Sequence, residues 1–247
     1  STFLYKGDAV GGADTQTINN GIDLAGEGGL VWIKNRNTSS RENILTDTER
    51  GATKYISSNQ TSGESTGSNH LNLFNNNGFR VGSDSTVNED TKNFVSWTFR
   101  KAPGFFDVVT YTGNDVVGRQ ISHSLGSVPG LIAVKSLSAT DYWHVYHRST
   151  GATKFLTVNT QDAPTTQSNV WNDTTPTSTH FTVANNNGTN GNGITYVAYI
   201  FAHDDQSFGT DSDEAIIKCG SYTGNGSESG PVIELGFEPH WLLIQRT

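Results

Sequence analysis

Phe94-Val95-Ser96-Trp97-Thr98-Phe99 and Tyr196-Val197-Ala198-Tyr199-Ile200-Phe201 carry the clearest mark of secondary structure in the chain. Each is a short run of aromatic and β-branched residues, the chemistry that fits a pleated, packed surface. In the first, Phe94, Ser96 and Thr98 interleave with Val95, Trp97 and Phe99, a partly alternating pattern of period two. Leu30-Val31-Trp32-Ile33 and Leu131-Ile132-Ala133-Val134 are runs of the same kind, and Asn77-Gly78, Pro129-Gly130 and Asn187-Gly188 mark turns between them. No long stripe of period 3.6 exists, and Gly, Asn and Thr recur too often for helices of three turns. The sequence therefore predicts an all-β, mostly antiparallel chain.

The chain repeats itself. Tyr5-Lys6-Gly7-Asp8 returns as Tyr111-Thr112-Gly113-Asn114 and as Tyr222-Thr223-Gly224-Asn225. Gly29-Leu30-Val31-Trp32-Ile33-Lys34 matches Gly130-Leu131-Ile132-Ala133-Val134-Lys135, with His240-Trp241-Leu242-Leu243-Ile244-Gln245 in the same place of a third copy. Gly51-Ala52-Thr53-Lys54-Tyr55-Ile56 matches Gly151-Ala152-Thr153-Lys154-Phe155-Leu156, and Phe79-Arg80-Val81 matches Phe181-Thr182-Val183. The two opening stretches are themselves a pair. A period of about 105 residues is too long for a propeller blade or solenoid turn and long enough for a whole sandwich. The expected organisation is tandem β-sandwich repeats at 1–103 and 104–212. Residues 213–247 are then the start of a third repeat or a strand completing the second. Leu30/Leu131, Trp97/Tyr199 and Phe99/Phe201, kept similar between copies, are expected in the core, and Gly51/Gly151 in turns.

Composition excludes several classes. The 247 residues carry a net charge of −8, against the basic face a nucleic-acid binder needs. No apolar run approaches the roughly 18 residues of a membrane span, and no signal-peptide pattern opens the sequence. A lone Cys219 excludes an internal disulfide framework.

Motifs for chemistry are sparse. His144 and His147 stand three apart, on opposite faces of a strand, so they do not chelate one metal together. There is no Gly-x-Ser-x-Gly elbow, His-Glu-x-x-His pair or phosphate loop. The sequence thus predicts no catalytic residues and no cofactor. Asp204-Asp205 and the group Asp211, Asp213 and Glu214 lie in the linker before the third copy; EF-hand spacing fails, and a solvated linker is the favoured reading over a surface Ca²⁺ at Asp211, Asp213 and Glu214. Sugar binding has more support, because saccharides stack on aromatic faces flanked by Asn, Asp and Thr. Trp171, Asn172 and Asp173 have that composition, and Tyr142, Trp143 and His144 form a second cluster. Each Trp also suits a packing role, Trp143 on a half-buried strand and Trp171 capping a sandwich edge.

Several stretches resemble one recurring module. They are Gly29–Arg36, Leu45–Tyr55, Asn77–Gly82, and above all the junction Trp97-Thr98-Phe99-Arg100-Lys101-Ala102-Pro103-Gly104 running on to Tyr111-Thr112-Gly113-Asn114. The module recurs in long virion structural proteins of marine tailed bacteriophages. The resemblance implies a concanavalin-like or jelly-roll sandwich on the virion exterior, assembled in the host cytoplasm and released by lysis. It implies a non-enzymatic tail-fibre or appendage role in receptor binding and host adhesion. The expected partners are host cell-surface glycan or receptor, other virion proteins and further copies in a homo-oligomer, with no nucleic acid and no membrane. The alternatives are a ligand-free spacer or decoration protein on neck, capsid or tail, and a polysaccharide depolymerase. The resemblance carries no site residues with it.

Overall fold

A computed structural model describes residues 1–246. The first half forms β1 (Thr2–Lys6), β2 (Gln16–Asn19), β3 (Gly29–Asn35), β4 (Ile44–Asp47), β5 (Lys54–Ser57), β6 (Ser65–Thr66), β7 (Leu71–Asn75) and β8 (Gly78–Val81). A one-turn helix α1 (Ser85–Asn88) and β9 (Asn93–Arg100) complete it. The second half forms β10 (Phe106–Thr112), β11 (Arg119–Ser122), β12 (Leu131–Ser136), β13 (His144–His147), β14 (Lys154–Thr157) and β15 (Thr165–Thr166). A one-turn helix α2 (Ser168–Trp171), β16 (His180–Val183) and β17 (Thr195–Phe201) follow.

The protein is all-β, with antiparallel sheets packed face to face as in a β-sandwich. One six-stranded sheet runs β1-β9-β3-β4-β5-β6 and the other β10-β17-β12-β13-β14-β15, the same order in the same sequence of strands. Two small sheets, β2-β8-β7 and β11-β16, cover the outer faces. Four layers result. The outer cores hold Ile18, Val31, Ile33, Phe79 and Phe94 on one side, and Ile121, Ile132, Val134, Phe181 and Tyr196 on the other. Between them the two large sheets meet directly, Leu30, Leu45, Ile56 and Phe99 against Val145, Leu156, Tyr199 and Phe201. Each large sheet is therefore buried on both faces. That is why Tyr196–Phe201 is apolar throughout instead of alternating.

The partial alternation in β9 has a matching cause. Thr98 and Ser96 lie opposite Val31 and Ile33 and face the small sheet, where Asn20 Nδ2 donates to Thr98 Oγ1 at 2.9 Å. Trp97 and Phe99 lie opposite Trp32 and Leu30 and face the central layer. In the hairpin of β7 and β8, Gly78 is obligatory. Its φ is +134°, and a side-chain carbon there would lie 2.0 Å from the Ile18 carbonyl oxygen.

Of the expected core pairs, Leu30, Tyr199, Phe99 and Phe201 are buried, whereas Trp97 and Leu131 are only half-buried; all six line a groove in the central layer. Residues 213–246 form no strand, so they add none to the second large sheet; a single bridge joins Phe208 and Glu214. Thr247 lies outside the described residues.

Candidate functional site

The central layer holds the densest buried chemistry. β4 ends on Asp47, and the turn that follows brings Arg50 back over it. Arg50 N donates to Asp47 Oδ1 at 2.9 Å and Arg50 Nε to Asp47 Oδ2 at 2.5 Å. From the facing sheet, Tyr199 OH donates to Asp47 Oδ2 at 2.8 Å and accepts from Arg50 Nη2 at 3.2 Å. Leu45 O takes Nη2 at 3.0 Å, and Glu64 lies 3.4 Å from Nη1. Burial opposes the guanidinium charge, but Tyr199, Asp47 and Glu64 outweigh it and raise the Arg50 pKa. Burial likewise holds the Tyr199 phenol well above its ordinary value. The arrangement is a buried polar lock between two sheets, in which Arg50 Nε and Nη2, the Asp47 carboxylate and the Tyr199 hydroxyl all bond to protein groups.

Two further bridges cross the same layer. Trp143 Nε1 donates to Ser57 O at 3.0 Å. The 58–64 loop pairs with 137–141 through Glu64 N to Leu137 O at 2.7 Å and Asp141 N to Thr61 O at 2.9 Å. Buried Lys135 donates to Thr61 O at 3.0 Å. Burial pulls its pKa down to about 8, with Asp141 opposing.

Beside the lock, a cavity of about 1130 Å³ opens between the large sheets, with Trp32, Trp97, Phe99 and Leu131 among its walls and residues 214–246 across it. Trp241 rests inside, its ring 5.3 Å from Phe99 and 6.1 Å from Trp32. A smaller cavity, about 330 Å³, lies where the halves join, lined by Glu49, Lys101, Asp107, His123 and neighbours. Lys101 Nζ sits 2.7 Å from Glu49 and 3.3 Å from Asp107. Asp107 also accepts from Val108 N and Ser124 N, so both its oxygens are committed to the fold.

The structure packs the Trp rings of both anticipated sugar platforms. Trp171 is 2% exposed, at the end of α2, edge-on to Tyr146 and Phe181. Asn172 and Asp173 follow it at φ of 52° and 48°, a left-handed step that turns the chain out of the helix. Trp143 is also 2% exposed and stacks on Tyr199 at 6.0 Å. His144 is buried, its ring stacked on Phe155 at 4.9 Å. It presses on Gly188, where a side-chain carbon would lie 2.0 Å from His144 Cε1. Burial lowers the His144 pKa. Of the six residues, Tyr142, 50% exposed, is the one aromatic ring that remains accessible. An aromatic face already covered by protein has none left to stack on a sugar. His147, by contrast, turns away from His144 and lines the central cavity.

Among the described residues no three His, Cys, Asp or Glu side chains are placed to hold a metal, so Asp211, Asp213 and Glu214 do not converge as a Ca²⁺ site. No described helix is long and apolar enough to cross a membrane. The lock on Asp47, Arg50 and Tyr199 is the feature that sequence reasoning missed. Its trace was Asp47-x-x-Arg50, replaced in the second copy by His147 and Thr150. No curated protein and no solved structure matches the chain. A family model does, across residues 1–247, and the chain accordingly belongs to the family described as Domain of unknown function (DUF7483).

Proposed function

We propose that the chain is a non-enzymatic structural module of a phage virion appendage, acting as a stiff spacer within a tail fibre or a neighbouring part. One observation carries this: the most elaborate buried chemistry of the molecule joins its two halves. A spacer has to transmit orientation along its length. A central layer that is apolar, bridged and pinned by a buried ion network suits that demand. The virion setting rests on the resemblance of the Trp97–Gly104 junction and its flanking stretches. The net charge of −8 fits a part that stays off nucleic acid. Host-glycan recognition loses its expected platforms in Trp143 and Trp171 and retains Tyr142.

Two measurements test the proposal together. Labelled antibody or cryo-electron imaging of the particle is expected to place the chain in an elongated appendage. A glycan array is expected to give no signal. A saturable glycan hit abolished by Tyr142→Ala would return the adhesin function, and a position inside the particle would remove the spacer.

A further inference from the structure

β10 is the edge strand of the second large sheet, bonded on one side to β17. In an antiparallel pair, alternate residues turn their main-chain groups toward the partner and the rest turn them away. Phe105 O takes Ala202 N at 2.9 Å at one end, and Gly113 N donates to Ile194 O at 2.7 Å at the other. Asp107, Val109 and Tyr111 therefore face β17, and Val108, Thr110 and Thr112 face outward. Side chains close two of these outward groups. Val108 N donates to Asp107 Oδ1 at 2.9 Å, and Arg119 Nη1 donates to Thr112 O. Among the described residues, nothing bonds Val108 O, Thr110 N, Thr110 O or Thr112 N. Thr110 and Thr112 are exposed, and the cavity of about 330 Å³ runs beside Asp107–Thr110. Val108–Thr112 holds no Lys, Pro or bulge, the usual guards of an open edge.

The pattern of open and closed groups is self-complementary. A two-fold axis through Thr110, perpendicular to the sheet, sets Thr110 opposite Thr110 of a second copy and Val108 opposite Thr112 on both flanks. Thr110 N then meets Thr110 O in each direction, and Thr112 N meets Val108 O on each flank, so every open donor finds an open acceptor. The groups left over, Val108 N and Thr112 O, are the two that side chains already close. A shifted register with Val108 opposite Thr110 instead sets the open Thr110 O against the closed Val108 N. Charge agrees with the first register. Asp107 sits with Glu49 and Lys101, two carboxylates and one ammonium, and this net negative flank faces Arg119 of the other copy. β1, the matching edge of the first large sheet, is closed in the same way by an uncharged side chain, Gln16 Nε2 donating to Lys6 O.

We propose that β10 is a pairing edge for a second copy of this chain, the two strands running antiparallel through Val108–Thr112 and joining two six-stranded sheets into one. Main-chain bonds at the seam supply affinity, as when an added strand extends any sheet. The closed groups and the charges of Asp107 and Arg119 fix the register. A two-fold perpendicular to the sheet keeps the small outer sheets of both copies on one side and their first halves on the other. The pairing depends on the β10 edge alone and not on the virion setting, so each stands if the other fails.

Sedimentation equilibrium of the full chain, carried up to its solubility limit, is expected to show a monomer passing to a doubled mass. Thr110→Lys alters an exposed side chain whose main-chain groups bond nothing in the monomer, and it sets like charges opposite each other at the axis. It is expected to weaken the dimer about tenfold or more, with an unchanged circular dichroism spectrum. Thr110→Cys, carried with Cys219→Ser, is expected to be captured as a covalent dimer by a short bismaleimide. Tyr142→Cys in the same background, beside β13 and three strands from the edge, is expected to escape capture. A chain that stays monomeric at every concentration overturns the proposal. So does a dimer that withstands Thr110→Lys, and so does equal capture, or none, in the two cysteine variants, each of which moves the contact to another surface.

Discussion

Asp47→Ala tests the buried lock most directly. Its carboxylate accepts from Arg50 N, Arg50 Nε and Tyr199 OH, and the Arg50 side chain is almost wholly buried. Removing one partner of a buried ion pair leaves an uncompensated charge, a loss of about 3–5 kcal/mol. Glu64 stays in place 3.4 Å from Nη1, which keeps the expectation near the lower figure. In a chain of this size about 3 kcal/mol lowers Tm by roughly 10 °C. Tyr199→Phe removes a hydroxyl bonded to a charged group and is expected to cost about 1.5–3 kcal/mol. Because both changes disrupt one hydrogen-bonded unit, the double variant is expected to lose less than the sum, with a coupling of about 1 kcal/mol or more. Urea unfolding followed by circular dichroism and tryptophan fluorescence measures all four corners. The intact chain is expected to unfold in one transition, and Asp47→Ala to separate the two halves into two. A loss below about 1 kcal/mol for Asp47→Ala, or strict additivity in the cycle, would show that the network does not join the sheets energetically.

Trp171→Ala is expected to cost about 3–5 kcal/mol, the range for emptying a buried aromatic site; a variant as stable as the parent in denaturant would show that the ring is not packed as described. Gly78→Ala is expected to destabilise by about 2 kcal/mol or more, since the added carbon meets the Ile18 carbonyl at a φ other residues avoid; thermal unfolding reads this, and an unchanged Tm contradicts the close approach. Lys135 has a folded pKa of about 8, below the unfolded value of 10.5, so the penalty for burying its charge is full below pH 8 and is relieved as pH rises toward 10.5. Burial raises the Tyr199 pKa and pushes Cys219 up to about 11, so these groups work in the opposite sense above pH 9. The informative quantity is therefore the difference from Lys135→Met. The parent is expected to gain about 1–2 kcal/mol on that variant between pH 8 and pH 10, and parallel stability curves would place the amine in water.

How much of this was legible in the sequence follows from where each signal is stored. Fold class is a local property: Phe94–Phe99 and Tyr196–Phe201 carry it in their residue types, and the turn at Asn77-Gly78 in its need for a special φ. The unbroken apolar run of Tyr196–Phe201 also records burial on both faces, but not the identity of the second covering layer. That layer comes from the other half of the chain. A sandwich buried by its own strands and a sheet buried against a neighbouring sheet read alike. Trp171 shows the limit for sites. Trp flanked by Asn, Asp and Thr describes both a sugar platform and a helix end tucked under Tyr146 and Phe181, and only the path of the chain after Asn172 separates them.

The differences between the two copies have a physical use of their own. The large sheets present corresponding faces to each other, Leu45 with Val145 and Ile56 with Leu156, so the interface is close to a contact of like with like. A perfectly repeated sequence would place the same charged residue on both sides of such a contact, and like charges without partners do not survive burial. The lock exists because equivalence is broken. Asp47 and Arg50 face Tyr199, while the corresponding residues His147, Thr150 and Trp97 line the open cavity. One side of the contact is thereby closed by hydrogen bonds, and the other is left as a slot in which Trp241 rests. Divergence at 47, 50 and 199 thus specifies which sheet meets which. The consequence is testable by symmetrising the contact. Tyr199→Trp restores the first copy's residue, deletes the hydroxyl between Asp47 and Arg50, and adds ring volume against Trp143 and Phe106, on which Tyr199 packs. It is expected to cost more than Tyr199→Phe in the same urea titration. A variant as stable as Tyr199→Phe would mean that volume at this contact is free and that the asymmetry serves only the hydroxyl.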